Sequence, residues 1–284
     1  MDKRIEHNYS GYGSLSESDF ERLSSFIYTH FGIHLTEKKH YLLQTRLVKR
    51  LRALQISSYA EYADYVLKSG INGDEAFEMI DVVSTNKTDF FREKAHFEYL
   101  SETLIPQWSG QKLKAWSAGC SSGQEAYSLC MILQQEKSKG SISDYEVHGN
   151  DISAGILEKA TRAVYPFKEV TNIPYEFRKK YLLRSKQKEE PQIRIVPNLR
   201  TKAQFHRINL LDEIYPLAKD FQLIFCRNTL IYFDSPTKKK IVTHLCSHLA
   251  MGGYLVIGFS ESLLDMDMKA MHMSLIKPTI YQKI

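Results

Sequence analysis

Four cysteines in 284 residues (Cys120, Cys130, Cys226 and Cys246) stand in no metal-type spacing. That excludes a disulfide-stapled framework and a cysteine-based zinc site, and it reads as reduced thiols. No run approaches the roughly 18 apolar residues of a membrane span. The first residues, "MDKRIEHNYSGYGSLSES", hold no apolar h-region, so no secretory signal is expected. Neither sign of charge dominates. The formal charge of +5 permits an acidic partner without demanding nucleic acid. A strict G-x-G-x-x-G is missing, which weighs against a Rossmann dehydrogenase. There is no internal repeat and no long low-complexity tract.

What is present is enough apolar residue, 43% of the chain, for one large or two moderate cores. Residues 1–15 are polar and Gly/Ser-rich and read as a flexible arm. Residues 16–84 read as an all-helical domain. "SESDFERL" offers Ser16 as an N-cap with Asp19 three residues on. Leu43, Leu47, Leu51 and Leu54 form an apolar stripe at helical spacing. Further helices are expected near 59–68, ending at Gly70, and near 74–83. Residues 85–110 read as a linker and lid segment. From 111 to 284 strands alternate with helices, which predicts a doubly wound α/β sheet. Residues 166–202, with prolines 166, 174, 191 and 197, read as an insertion with its own small antiparallel sheet. "MSLIKPTIYQKI" reads as a closing antiparallel pair.

In a doubly wound fold the ligand sits at the carboxyl ends of the central strands. Four such ends stand out. "SAGCSSGQE" places Gly119 and Gly123 at a turn into a helix N-terminus; a tight turn without a ligand is the alternative. Asp151 ends the next strand, where an acid accepts from ribose hydroxyls or simply caps the following helix. Asn209 ends a third, as an adenine reader or a turn residue. "CRNTLIYF" puts Arg227 and Asn228 at the tip of a fourth, with Tyr232 just beyond; capping residues and a packed ring are the plain alternative. Jointly the four ends suit an adenosine-containing ligand.

"TNKTDFFRE", "WSAGCSSGQEAYS", "NDIS", "INLL", "FQLIFCRNTLIYFD" and "GGYLVIGFSES" occur in the order in which similar motifs occur in the CheR-type chemotaxis receptor methyltransferases. The chain resembles that family from about Ser16 onward. It departs at Gln124-Glu125-Ala126, where Glu-Glu-Pro is usual, at Gly149-Asn150, and at Phe259, where His is common. The resemblance implies a small all-α domain followed by an S-adenosylmethionine-dependent methyltransferase sheet with a β insertion. It implies S-adenosylmethionine as cofactor, S-adenosylhomocysteine as product, and a chemoreceptor glutamate as acceptor. Carried over by position, it implies that Asn86, Thr88, Arg92, Glu125, Asp151, Asn209, Leu210, Cys226, Arg227 and Asn228 line the cofactor site. Arg92 and Tyr232 would lie nearest the transferring methyl, and no metal is expected.

The chemistry of the residues agrees. Arg92 suits a carboxylate and Glu125 an ammonium. Of Phe90 and Phe91, one ring is expected to face the core and the other to support the lid. Because the acceptor is already anionic, no general base is needed, and His96, His148 and His206 read as structural. From Lys38 to Arg52 the chain holds six Lys/Arg and no acid. Lys39, Arg46, Lys49 and Arg50 fall on one side of a helix, either a solvated face or a dock for the acidic helical methylation region of a membrane chemoreceptor. Some relatives hold a C-terminal receptor pentapeptide as an added strand on the insertion, near a Gly-x-Gly. Here "LLRSKQKEEPQIRIVPNLRTKAQF" has no glycine, and prolines 191 and 197 flank the candidate strand, so no tether is expected. A cytoplasmic monomer without membrane insertion or nucleic-acid binding is the expectation. The rivals are a nucleic-acid or other-substrate methyltransferase, whose Asn/Asp-Pro-Pro-aromatic and Pro-Cys motifs are missing, and a non-catalytic S-adenosylmethionine-sensing module.

Overall fold

Ser16 opens the first helix as its spacing predicts. Its Oγ accepts from the Asp19 N–H at 3.1 Å and donates to the Asp19 carboxylate at 2.7 Å, satisfying one orphan donor of the first turn. The computed structural model describes residues 11–186 and 189–284. Residues 1–10 of the expected arm, and 187–188 of the insertion, lie outside the described residues. Leu15, also placed in that arm, is buried, and its N–H donates to Gln44 Oε1 at 3.0 Å. Two compact units result. One runs to Thr85 and takes in Tyr232–Thr237; the other holds Asn86–Ile231 and Lys238–Ile284.

The first unit contains α1 (Glu17–Phe31), α2 (His40–Leu54), α3 (Tyr59–Ser69) and α4 (Asp74–Val83). Leu43, Leu47 and Leu51 of the stripe are buried, beside a core that includes Leu23, Ile27, Tyr62 and Ile80. Leu54 is only half-buried. The basic side of α2 does have acids near it, contrary to the local sequence. Arg50 grips Glu75 through Nε at 2.9 Å and Nη2 at 2.6 Å, and reaches Glu78 through Nη1 at 2.8 Å. Those acids arrive on α4, far along the chain, so a scan of α2 alone misses them. Glu75 is buried, and a buried carboxylate is tolerated only when paired and hydrogen-bonded. Arg46 donates to the Val83 carbonyl and to Thr85 Oγ1 at 2.9 Å. Lys39 donates to the His34 carbonyl at 3.2 Å. Of the four basic residues, Lys49 is the exposed one.

The second unit begins with the Phe-Phe pair, and both rings are buried. Phe90 packs edge-on against Tyr165 at 5.0 Å and Phe91 against Phe97 at 5.2 Å. The expectation of one ring supporting a lid is therefore corrected: both are core. The expected linker is largely helical, as α5 (Lys94–Tyr99), a π-turn at Leu100–Leu104 and a 3₁₀ turn at Ile105–Trp108.

The chain then forms β1 (Lys112–Ala118), α6 (Gln124–Ser138), β2 (Asp144–Asp151) and α7 (Ala154–Arg162). The insertion follows as β3 (Val164–Pro166), α8 (Tyr175–Tyr181), β4 (Leu182–Arg184), β5 (Gln192–Ile195) and α9 (Pro197–Arg200). The main sheet resumes with β6 (Ala203–Arg207), β7 (Phe221–Cys226), α10 (Ser235–His248), β8 (Leu249–Ile257), β9 (Met273–Lys277) and β10 (Ile280–Lys283). Its order is β6-β2-β1-β7-β8-β10-β9. The first five are parallel and the last two close it antiparallel, the pair expected at the C-terminus. The order reverses beside β1, between β2 and β7, which is where such sheets open a crevice. The small sheet is antiparallel with order β3-β5-β4. The proline-flanked strand β5 is thus central, and the free edges belong to β3 and β4. Prolines 191 and 197, expected to mark an edge closed to a partner strand, therefore flank the central strand and leave the edges β3 and β4 unaffected. Among the described residues no helix is long and apolar enough to cross a membrane.

Candidate active site

Strand β1 ends in a turn that only glycine fits. Gly119 has φ +80°, and a Cβ there would lie 2.4 Å from Thr229 Oγ1. Gly123 has φ +91°, and its Cβ would meet that of Ala160 at 2.9 Å. The N–H groups of Gly119 and Cys120 both donate to the Asn150 carbonyl, at 3.0 and 2.7 Å, which pins the turn to β2. One residue on, Asp151 Oδ2 accepts from the Ser121 N–H at 3.0 Å and Oδ1 from the Ser153 N–H at 3.1 Å. The cap of α7 is Ser153, whose Oγ accepts from the Ile156 N–H at 3.2 Å. Asp151 instead buttresses the turn after β1. Ser121 Oγ donates to the Asn86 carbonyl at 3.0 Å, which ties the start of "NKTDFFRE" to that turn.

Arg227, just past β7, organises the opposite side. Its side chain is 1% exposed. Nε donates to Glu125 Oε2 at 2.8 Å. Nη1 donates to the Arg92 carbonyl at 2.8 Å, faces His96 Nδ1 at 3.1 Å and reaches Glu93 Oε2 at 3.3 Å. The guanidinium also lies 5.1 and 5.2 Å from the ring centroids of Phe97 and Phe225, which adds cation–π attraction. Glu125 Oε1 accepts from Ser117 Oγ at 2.6 Å, so both carboxylate oxygens are engaged. His96 Nδ1 faces a donor and must accept. Its proton therefore sits on Nε2, which meets Thr279 Oγ1 at 2.8 Å. Burial, helped by Arg227, pushes the His96 pKa down to about 3, so the ring is neutral.

The Arg92 turn is held in an uncommon shape. Phe91 (φ 52°) and Glu93 (φ 56°) are both left-handed. Arg92 between them is half-buried and donates from Nη1 to the Lys87 carbonyl at 3.1 Å. Thr88, within that loop, is also half-buried. Glu93 accepts from Asn228 Nδ2 and from the Phe259 N–H, each at 3.2 Å. At the tip of β6, Asn209 Oδ1 accepts from the Leu211 N–H at 3.1 Å, an Asx turn. Leu210 is buried. The Cys226 thiol is wholly buried, and burial pushes its pKa well up; it offers a ligand its main chain only. Tyr232 groups with the helical unit. There its hydroxyl donates to the Thr85 carbonyl at 3.3 Å, and the Lys39 ammonium lies 5.9 Å from its ring centroid.

The α/β unit thus gathers Asn86, Thr88, Arg92, Glu125, Asp151, Asn209, Leu210, Cys226, Arg227 and Asn228. Tyr232, Lys39, Arg46, Lys49 and Arg50 fall in the helical unit. Sequence reasoning left Glu93, Glu261 and Ser121 unassigned. An acid at an element end in an otherwise apolar or small-residue setting, before a helix in "FFRE" and after a strand in "GFSES", was the available signal for the two glutamates.

Residues 86–277 match the CheR methyltransferase SAM binding domain and residues 18–84 the CheR methyltransferase all-alpha domain. The chain belongs to the CheR methyltransferase family. It is 34% identical to a chemotaxis protein methyltransferase of Borreliella burgdorferi, over 88% of this chain and 90% of that protein. It is 32% identical to chemotaxis protein methyltransferase 2 of Pseudomonas aeruginosa, over 87% of each, and 33% identical to the Escherichia coli chemotaxis protein methyltransferase, over 88% of this chain and 86% of that one. S-adenosylmethionine is the family member's cofactor, and the residues fit it. The Gly119 turn leaves no room for a side chain, and a buried carboxylate stands at the β2 tip.

The state of His96 is measurable. Its ring protons should show no titration between pH 5 and 8 in NMR spectra of the folded protein. Its contribution to stability is present above about pH 6.5, the ordinary unfolded value, and is lost as pH falls toward the folded value. A His96 titration centred near 6.5 overturns the assignment.

Proposed function

We propose that this chain is a protein-glutamate O-methyltransferase. It transfers the methyl group of S-adenosylmethionine to glutamates in the acidic helical methylation region of membrane chemoreceptors. It works in the cytoplasm as a monomer and yields γ-methyl esters and S-adenosylhomocysteine. The observation that carries this reading is the buried Glu125–Arg227–Glu93 lattice, which fixes the Arg92 turn at the strand tips of a SAM-binding domain.

When bound, S-adenosylmethionine supplies a sulfonium-linked methyl group open to in-line displacement. Asp151 would accept from the ribose hydroxyls. Asn86 and Thr88 would supply short hydrogen bonds, and Asn209, with Leu210 beside it, would read the adenine edge. Glu125, while bonded to Arg227 and Ser117, would also meet the ammonium, and Cys226, Arg227 and Asn228 would complete the wall. Arg92 would bind the methionyl carboxylate, and Tyr232 would orient the acceptor carboxylate. That carboxylate, with a reference pKa of about 4.3, is already anionic near neutrality. The protein's task is alignment and exclusion of water. His96, held between Arg227 and Thr279, takes no proton from the reaction.

Incubation with methyl-labelled S-adenosylmethionine and receptor-containing membranes should place base-labile label on a membrane protein. Arg92→Ala and Asp151→Ala should each weaken S-adenosylhomocysteine binding at least tenfold by calorimetry. Label on nucleic acid, or parental affinity in both variants, overturns the assignment.

The helical unit is proposed as the dock for the acidic helix, with Lys49, the exposed one of the four named cations, and Lys39 and Arg46 beside it. Lys49→Glu should lower receptor methylation several-fold and flatten its salt dependence while S-adenosylhomocysteine affinity stays parental. Arg50 is unsuitable for this test because its reversal would strand buried Glu75. Unchanged methylation by Lys49→Glu sinks the docking role.

No C-terminal tether is proposed. The insertion has no glycine from Leu182 to Phe205, and its edge strands β3 and β4 are three residues each. Titration with the pentapeptide should show no binding; micromolar affinity mapped to residues 166–202 refutes this.

A further inference from the structure

Beyond the cofactor-lining positions, the strand tips hold one buried carboxylate that no step above uses. Glu261 lies in the loop after β8, and the residue is 8% exposed. Oε2 accepts from the Asn228 N–H at 2.8 Å and from the Gly258 N–H at 2.7 Å. Oε1 accepts from the Ile231 N–H at 3.2 Å. The Leu230 N–H also faces the carboxylate. Each of these partners is a backbone donor, so a protonated carboxyl would turn its own O–H toward N–H groups. Burial pushes the Glu261 pKa up, and the four backbone N–H groups oppose that shift. An acceptor-only anion is what the ring of donors requires.

The position of this anion gives it a purpose. Asn228 has φ 57°, a left-handed conformation that among non-glycine residues is uncommon and most often taken by Asn or Asp. A free turn would relax out of it. Glu261 holds the Asn228 backbone from one side, while Glu93 takes Asn228 Nδ2 from the other. A Cβ on Gly258 would come within 2.7 Å of Asn228 Nδ2, so the β8 loop presses directly on the same residue. Below lies the Cys226 thiol, whose ionisation Glu261 opposes. Arg227, adjacent in sequence, turns away to Glu125 and Glu93.

We infer that Glu261 is a positioning residue: its carboxylate clamps the Asn228–Ile231 turn and thereby sets the cofactor-facing geometry of Asn228. This rests on the cofactor assignment proposed above. The probe is S-adenosylhomocysteine, and the protein is the full chain. In Glu261→Gln one oxygen still accepts but the amide nitrogen confronts an N–H; in Glu261→Ala nothing accepts. Dissociation constants should rise in that order, about tenfold for Gln and more for Ala. The KM for S-adenosylmethionine should rise with them, while the KM for receptor stays parental. Simple destabilisation gives a different signature: lower stoichiometry at the parental dissociation constant. Parental affinity in the folded fraction of both variants, or equal rises in both KM values, overturns the inference. If neither variant folds, amide exchange on the unaltered chain decides. The Asn228 and Ile231 amides should exchange as slowly as those of β7, and fast exchange refutes the clamp. Failure of the unaltered chain to bind S-adenosylhomocysteine would instead count against the cofactor assignment.

Discussion

The α/β unit depends on one buried cation. Arg227 is taken out of water at the tip of β7, and several kcal/mol of desolvation must be offset there. Its partners do so from two further segments: Glu125 from the first turn of α6, and the Arg92 carbonyl, Glu93 and His96 from the turn into α5. A surface ion pair could be deleted with little effect. This one fixes where three chain segments meet. Two carboxylates and one guanidinium, with His96 neutral, leave the set one formal charge negative. On the proposed reading that surplus faces a cofactor that carries an ammonium and a sulfonium.

Strain is concentrated partly at the same place. Of the eight non-glycine residues with left-handed φ among the described residues, four are Phe91, Glu93, Ser121 and Asn228. All four lie on the turns at the strand tips. Each is held by more than one contact: Phe91 by the Ser128 hydroxyl and its buried ring, Ser121 by Asp151 and the Asn86 carbonyl, Glu93 and Asn228 by one another. A backbone so over-determined is pre-organised, and alignment is the main demand of a displacement that needs no proton transfer.

Much of this was legible in the chain. Local grammar was sufficient for Ser16, the leucine stripe, the Gly70 stop and the strand–turn–helix units, because caps and periodicity act within a few residues. It failed where the deciding partner is distant in sequence. Arg50 looked like a docking cation because Glu75 and Glu78 come from another helix. One of Phe90 and Phe91 was expected to support a lid because two of their ring partners, Tyr165 and Phe177, lie far along the chain, in or near the insertion. The strand between prolines 191 and 197 looked like an edge because of those prolines, and its two partners, three residues each, are too short to be read locally. Asp151 and Asn209 were placed correctly at strand tips, yet their backbone partners, the Ser121 and Leu211 N–H groups, follow from turn geometry that composition does not reveal.

The chain's route gives the division of labour a physical basis. It leaves the helical unit after Thr85 and returns to it only for Tyr232–Thr237 before completing the sheet. Tyr232 is therefore carried by the unit proposed to grip the receptor helix, although in sequence it stands beside the β7 tip. Within that unit its hydroxyl is held at Thr85, and its backbone carbonyl accepts from the His34 N–H at 2.9 Å. A residue that orients the acceptor is best fixed to whatever fixes the acceptor, since any movement of the docked helix then carries the orienting group with it. The residues proposed to line the cofactor have the opposite need, a fixed frame, and the buried contacts of Arg227 and Glu261 lie within the sheet's own unit. The peptide bond from Ile231 to Tyr232 is where the two requirements meet, and the Ile231 N–H is one of the groups that Glu261 holds.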